Sequence, residues 1–173
     1  KYFFSLFAVL QIFLWNGMNA AVIQAMGRGD INAFSAVVRF RLRWAPLFFF
    51  ASATISLYYA VRGEYGIAGA FLIVAILHPL STAFTTYQPY LQGAKKIGLS
   101  VFISLTTHIT ITGAMITTLV LTKSLLAVVA TYAIGNTVMS GIFFLAFRPR
   151  VVNDGKGTDA LRYGKHLTFV DVI

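Results

Sequence analysis

The chain has 173 residues, of which 58% are hydrophobic and only 11% are charged, and its mean hydropathy is +0.77. A soluble domain carries about 25% charged residues, so this composition excludes an ordinary soluble protein and leaves a very apolar soluble helical bundle as the alternative to a membrane protein. The net charge is +9 and there is no cysteine, which excludes a disulfide framework and any cysteine-based metal or redox site.

Five stretches of the chain contain no Asp, Glu, Lys or Arg, namely 2–27, 44–61, 65–94, 97–122 and 124–147. Each is close to, or longer than, the roughly 20 residues that a helix needs to cross the hydrocarbon core of a bilayer. The sequence therefore predicts an all-α, polytopic bundle of transmembrane helices. Its five complete spans are expected at about 2–26, 44–61, 67–92, 99–122 and 125–147.

The segment between the first two spans has a pattern of its own. Apolar residues recur there at helical spacing with basic residues among them: Ile31, Phe34, Val37 and Val38, and Arg39, Arg41 and Arg43. This pattern predicts a short amphipathic helix at about 31–43, lying on the membrane surface.

Two prolines interrupt the third span. Pro79 and Pro89 each remove a backbone hydrogen bond and push against the preceding turn, which is tolerated in membranes where neighbouring groups satisfy the freed carbonyls. We expect a bend or an unwound turn between them. Further along, only Lys123 and Ser124 separate the fourth and fifth spans, so these two should form a tight hairpin.

After the fifth span, 148–166 is polar and basic and predicts a connector, and 167–173 resembles the opening of another apolar segment. The chain begins with Lys and ends within that apolar stretch, so we expect the 173 residues to be a fragment.

The basic residues are distributed asymmetrically along the chain. The gaps before, between and after the spans hold one, four, one, two, one and five Lys or Arg, so alternate gaps hold eleven against three. Cytoplasmic loops carry the excess of Lys and Arg, which predicts that 28–43, 93–98 and 148–166 are cytoplasmic. The basic excess then serves topology and contact with anionic membrane lipids, and we expect no nucleic-acid partner.

Polar residues form stripes on four of the predicted helices at 100° per residue. The candidates for a shared substrate cavity are Asn16, Asn19, His78, Thr82, Thr85, Ser104, Thr107 and Asn136. Polar side chains inside spans face a cavity or other helices rather than lipid, and packing between helices is the alternative role for each of them. Uncharged hydrogen-bonding groups suit a sugar or a phosphate-linked headgroup, and small residues beside them allow helices to approach and slide.

The sequence contains no arrangement typical of catalysis. No acid–base pair, activated nucleophile or metal-ligand cluster is visible, and His78 and His108 are isolated on apolar helices. The motifs "GRGD" and "GKHL" lack the strand and Lys-Ser/Thr context of a phosphate-binding loop. We expect a protein that is not an enzyme and that uses no cofactor and no metal.

Several segments in this order are similar to one known family. "GMNAAVIQAMGRGD" with the basic stretch "FRLRWAPLFFF", then "YQPYLQGAKKIG", then "GTDALRYGKHLTFVDVI", resemble bacterial polysaccharide-biosynthesis membrane proteins. These are the O-antigen and teichoic-acid type oligosaccharide flippases of the multidrug/oligosaccharidyl-lipid/polysaccharide exporter superfamily. The resemblance covers essentially the whole chain, and it would match the second to sixth helices and the start of the seventh out of twelve to fourteen.

The resemblance implies a fold and a function. The five spans and the start of a sixth would belong to the N-terminal lobe of a two-lobe exporter in the bacterial cytoplasmic (inner) membrane. Its substrate would be an oligosaccharide linked to undecaprenyl diphosphate, moved by alternating access and driven by an ion gradient (H⁺ or Na⁺). Two alternatives stay open: a multidrug or other small-molecule exporter of the same superfamily, and a membrane enzyme of polysaccharide assembly.

Overall fold

The computed structural model describes residues 17–149 and 161–164. These residues form helices joined by short turns, with no strand among them. The helices are α1 (Met18–Gly27), α2 (Asn32–Val61), α3 (Tyr65–Phe84), α4 (Tyr87–Gly93), α5 (Ile97–Thr122) and α6 (Leu125–Phe147). A further helical turn covers 161–164. The prediction of an all-α protein is confirmed for this part of the chain.

Four helical stretches within the described residues are long and apolar enough to cross a membrane: α2, α3 together with α4, α5, and α6. Large apolar side chains point outward on α5, where Phe102 is 67% and Leu121 is 77% exposed, as suits contact with lipid tails. Of the predicted first span at 2–26, the described residues include only α1. The predicted start of the next span at 167–173 and most of the connector at 148–166 lie outside them.

The predicted surface helix at 31–43 and the second span are one continuous helix, α2. The expectation of a separate surface helix is therefore corrected. No glycine or turn-forming pair stands between Arg43 and Pro46, and a proline within a helix removes only its own hydrogen bond and crowds one preceding carbonyl. At 1.5 Å per residue, 30 residues measure about 45 Å, which exceeds the roughly 30 Å hydrocarbon core. If α2 crosses a membrane, it is therefore longer than the hydrocarbon core.

The third span is interrupted between its two prolines, because α3 ends at Phe84 and α4 begins at Tyr87. Pro89 has no N–H to give to the carbonyl four residues earlier, and Gln88 N donates to that Thr85 oxygen instead at 2.9 Å. Thr86 N likewise donates to the Ala83 oxygen, three residues back. The break is thus a short stretch of tighter i→i+3 bonding.

α2 and α3 form an antiparallel pair joined by the short turn at 62–64. Ser56 Oγ donates to the Ala68 carbonyl oxygen at 2.7 Å, and the Phe48 and His78 rings lie 5.6 Å apart. The pair encloses a cluster of buried side chains to which α6 contributes one member: Phe48, Ala70, Phe71, Val74 and Val129.

α6 runs parallel to α3 and antiparallel to α5. Asn136 Nδ2 on α6 donates to Ser81 Oγ on α3 at 3.2 Å, and the Thr118 and Thr131 hydroxyls of α5 and α6 lie 3.0 Å apart. The two-residue hairpin between α5 and α6 matches the prediction: Lys123 has a left-handed backbone, and Ser124 Oγ accepts from Ala127 N.

α1 packs against α4 and against the turn at 161–164 through two glycines. A Cβ at Gly93 would lie 2.5 Å from the Met26 Cβ and 2.8 Å from the Ile23 carbonyl oxygen. A Cβ at Gly164 would lie 2.5 Å from the Met18 sulfur. At Gly93 the contact includes the backbone of α1, so a side chain there requires a shift of the two helices, whereas at Gly164 the nearest atom belongs to the flexible Met18 side chain.

Replacing Gly93 with alanine should lower the free energy of unfolding by about 1–3 kcal/mol, as overpacking of a close contact does. Gly98→Ala is the matched control: nothing lies within 4 Å of a Cβ at Gly98 in α5, so stability should stay the same or rise by up to about 1 kcal/mol through reduced backbone entropy. Thermal unfolding of the purified protein measures both. Equal stability of the two variants would contradict a close crossing of α1 and α4 at Gly93.

Candidate functional site

Arg41 lies on the buried face of α2. It follows Phe34 by seven residues and precedes Phe48 by seven, which is two helical turns in each direction, and both phenylalanines are buried. Its side chain is only 5% exposed. Arg39 and Arg43, two positions to either side, point away from this face and are exposed.

The Arg41 guanidinium joins three separate elements. Nη1 donates to the Thr82 carbonyl oxygen at 3.0 Å and to Thr86 Oγ1 at 2.9 Å, both at the break between α3 and α4. Nη2 donates to Asn19 Oδ1 on α1 at 2.9 Å. We call Arg41, Asn19, Thr82 and Thr86 the Arg41 cluster.

The break supplies the acceptors that Arg41 uses. In an uninterrupted helix the N–H of Thr86 would donate to the Thr82 carbonyl, but here it donates to the Ala83 carbonyl. The Thr82 oxygen accepts from Arg41 and from Thr85 Oγ1 instead. The disturbed turn thus leaves a carbonyl for a cation from the neighbouring helix.

The positive charge of Arg41 has no carboxylate partner within the described residues. The acidic residues there are Asp30 and Glu64, and Asp30 Oδ1 accepts instead from Asn32 N at 3.1 Å. Arg41 Nε is buried and makes no hydrogen bond to any described residue. Removing an ion from water costs several kcal/mol even after relaxation, so three neutral acceptors leave this charge only partly compensated.

Other candidate residues make contacts between or within helices. Asn136 bonds to Ser81 across α6 and α3, which is the packing role considered for it. The Thr82 and Thr85 hydroxyls donate to carbonyls of the preceding turn, those of His78 and Thr82. The His78 ring packs on Phe48.

The structure does not bring every candidate to the Arg41 cluster. Ser104 and Thr107 lie on α5, and the Thr107 hydroxyl is buried without a hydrogen-bond partner in the described region. Asn16 lies outside the described residues.

Two cavities are lined by residues of the described part of the chain, and none of the described candidate residues lines either of them. One, of about 660 Å³, lies between the start of α2 and the end of α6. The other, of about 500 Å³, is an apolar groove between α5 and α6.

The Arg41 cluster is suited to electrostatic and hydrogen-bonding recognition. Among residues 17–149 and 161–164, no group of three His, Cys, Asp or Glu lies close enough to hold a metal ion. The Arg41 cluster places a desolvated cation among amide, hydroxyl and carbonyl oxygens. Such a cation can bind an anion, or it can hold neighbouring helices together through hydrogen bonds.

Sequence reasoning assigned Arg41 to membrane topology and missed its place in the site. The signal was its helical phase: Arg41 falls on the same face as Phe34 and Phe48, whereas Arg39 and Arg43 are about 160–200° away from it at 100° per residue. A lone charge on the apolar face of a helix indicates a buried role more strongly than its membership of a basic run does.

No family model matches the chain, and neither a curated protein nor a solved structure matches it significantly.

Thr86→Val removes the hydroxyl that accepts from Arg41 while keeping the side-chain shape. Because Thr86 is fully buried, the free energy of unfolding should fall by about 1–3 kcal/mol. In an Arg41→Met background the same change should cost less than about 0.5 kcal/mol, since its partner is gone. Thr106→Val, at an exposed hydroxyl bonded within its own helix, is the control. An equal cost of Thr86→Val in both backgrounds would refute the hydrogen bond.

Proposed function

We propose that this chain is part of a flippase that moves an oligosaccharide linked to undecaprenyl diphosphate across the bacterial cytoplasmic membrane for surface polysaccharide assembly. The proposal combines the resemblance in the sequence with the four helices that can cross a membrane. O-antigen type polysaccharides are the destination that the resemblance implies.

The observation that carries the proposal is the partly compensated charge of Arg41. A diphosphate is the one strongly anionic group of such a substrate, and guanidinium groups form charge-assisted hydrogen bonds to phosphate oxygens. Arg41 is bonded only to neutral oxygens among the described residues, so an arriving diphosphate competes against weak partners rather than against a carboxylate.

The elements that Arg41 connects support movement during transport. The acceptors Thr82 and Thr86 lie at an interrupted helix, and discontinuous helices contribute to the binding sites of many transporters. We propose that exchange of Arg41 partners loosens α1 from the break and alternates access to the two sides. An ion gradient of H⁺ or Na⁺ would drive the cycle.

Charge distribution supports the orientation. Successive long helices run in opposite directions, so the turns between them alternate between the two ends of the bundle. One end has Arg62 and Lys123. The other has seven basic residues: Arg28, Arg39, Arg41, Arg43, Lys95, Lys96 and Arg148. The positive-inside rule supports placing the end with seven basic residues in the cytoplasm.

Two other functions are distinguishable from this one. A multidrug exporter of the same superfamily would move organic cations, for which a buried arginine is a poor partner. A membrane enzyme of polysaccharide assembly would need catalytic groups, and it would change the chemical structure of the glycan instead of its location.

Arg41→Gln in the full-length protein should lower export of lipid-linked oligosaccharide at least about tenfold, the loss that corresponds to roughly 1.4 kcal/mol. Export is measured as the lipid-linked glycan that an added glycosidase can cleave in intact spheroplasts, divided by the amount of folded protein. Arg43→Gln removes an exposed charge from the same helix and should leave export within about twofold, since surface changes are nearly neutral.

Arg41→Lys separates charge from geometry. It keeps the charge but cannot join three elements with one planar group, so its export should be intermediate. Export by Arg41→Gln equal to that by Arg43→Gln would contradict the role of Arg41, and a glycan that reached the outer surface with an altered structure would favour the enzyme.

A further inference from the structure

A cleft of about 660 Å³ opens between the first turns of α2 and the end of α6. Two arginines line it, Arg39 from α2 and Arg148 immediately after the last residue of α6. Behind them the Phe34 and Phe144 rings are stacked with centroids 5.6 Å apart. The cleft thus combines a basic mouth with an apolar wall.

Both guanidinium groups are available to a ligand. Arg39 and Arg148 are exposed, and within the described residues neither side chain makes a hydrogen bond or an ion pair. Ser35 also lines the cleft, but its hydroxyl hydrogen is donated to the Asn32 carbonyl at 3.0 Å. The donors for an anion in this cleft are therefore the two arginines.

The cleft lies at the basic end of the bundle, where lipid headgroups would meet helices that cross a membrane. Arg39 lies in the part of α2 that precedes its charge-free stretch, which begins at Trp44. Arg148 directly follows α6 on the same side of the bundle. Leu145, on the wall of the cleft, is 64% exposed. A ligand with an anionic head and an apolar tail fits this arrangement, with the head at the arginines and the tail along Leu145 and the phenylalanines.

We propose that this cleft binds the headgroup of an anionic glycerophospholipid of the surrounding membrane. Guanidinium groups bind phosphate oxygens in a bidentate manner, and basic pockets between transmembrane helices bind anionic headgroups. The site is distinct from the Arg41 cluster, because the Arg39 and Arg41 side chains project from different faces of α2. The inference does not depend on the proposed function, because a protein with another cargo would bind the lipid in the same way.

The test is a titration of the purified full-length protein in neutral detergent with short-chain phosphatidylglycerol and, separately, with short-chain phosphatidylcholine. Wild-type protein should bind phosphatidylglycerol at least about tenfold more tightly. The double variant Arg39→Gln/Arg148→Gln should lose about thirtyfold in affinity for phosphatidylglycerol, since each basic residue near an anionic surface contributes roughly fivefold. Arg62→Gln/Lys123→Gln removes the same charge from the other end of the bundle and should change the affinity by less than about twofold.

Three results would overturn the proposal. The first is unchanged selectivity for phosphatidylglycerol in Arg39→Gln/Arg148→Gln, and the second is an equal loss in both double variants, which would indicate net charge alone. The third is complete displacement of phosphatidylglycerol by millimolar inorganic phosphate, which would indicate a site for free anions. If the double variant aggregates, each single variant should lose about fivefold, and no loss in either single variant would overturn the proposal equally.

Discussion

The hydrogen bonds of the Arg41 guanidinium are the interactions on which the arrangement of α1, α2 and α3 depends. It is almost fully buried on α2, it donates to α1 and to the break between α3 and α4, and all of its described partners are neutral. A paired charge would be a static link, since separating a buried ion pair is costly. Neutral acceptors hold the same helices together without an ion pair, and the proposed transport cycle would use this by letting the cation change partners.

The geometry around Arg41 can be traced to a proline. Pro89 has no N–H for the Thr85 carbonyl, so the turn before it adopts tighter bonds, and the Thr82 oxygen loses its usual donor. Arg41 and Thr85 Oγ1 replace that donor. The helix α4 also contains Gly93, where the absence of a side chain allows the backbone of α1 to come close to that of α4. Arg41, the break between α3 and α4 and the close contact of α1 with α4 therefore lie together at the basic end of the bundle.

Much of the fold could be predicted from the sequence because charge-free stretches of about 20 residues have few alternatives, and the tight hairpin at Lys123 follows from its length. The continuity of α2 was not predicted, because the sequence changes at Trp44 from an amphipathic to a wholly apolar pattern. That change suggested a boundary between two helices, although no residue at Trp44 ends a helix. Arg41 was missed for a related reason: a basic residue within a basic run was counted as solvated. Asn19 was selected for its amide, but its partner could not be named, since a contact between residues 22 positions apart depends on how helices cross.

The most direct test of this account is the distance between α1 and α4 in the presence and absence of the Arg41 side chain. The 173 residues contain no cysteine, so spin labels can be placed at exposed Ala20 and Gln92 and their separation measured by pulsed electron paramagnetic resonance. We expect one narrow distance distribution for the wild type and for Arg43→Gln. Arg41→Gln should add a second population at longer distance, because Asn19 on α1 then loses its hydrogen bond to Arg41. Identical distributions in all three proteins would contradict the role of Arg41 as the clamp between these helices.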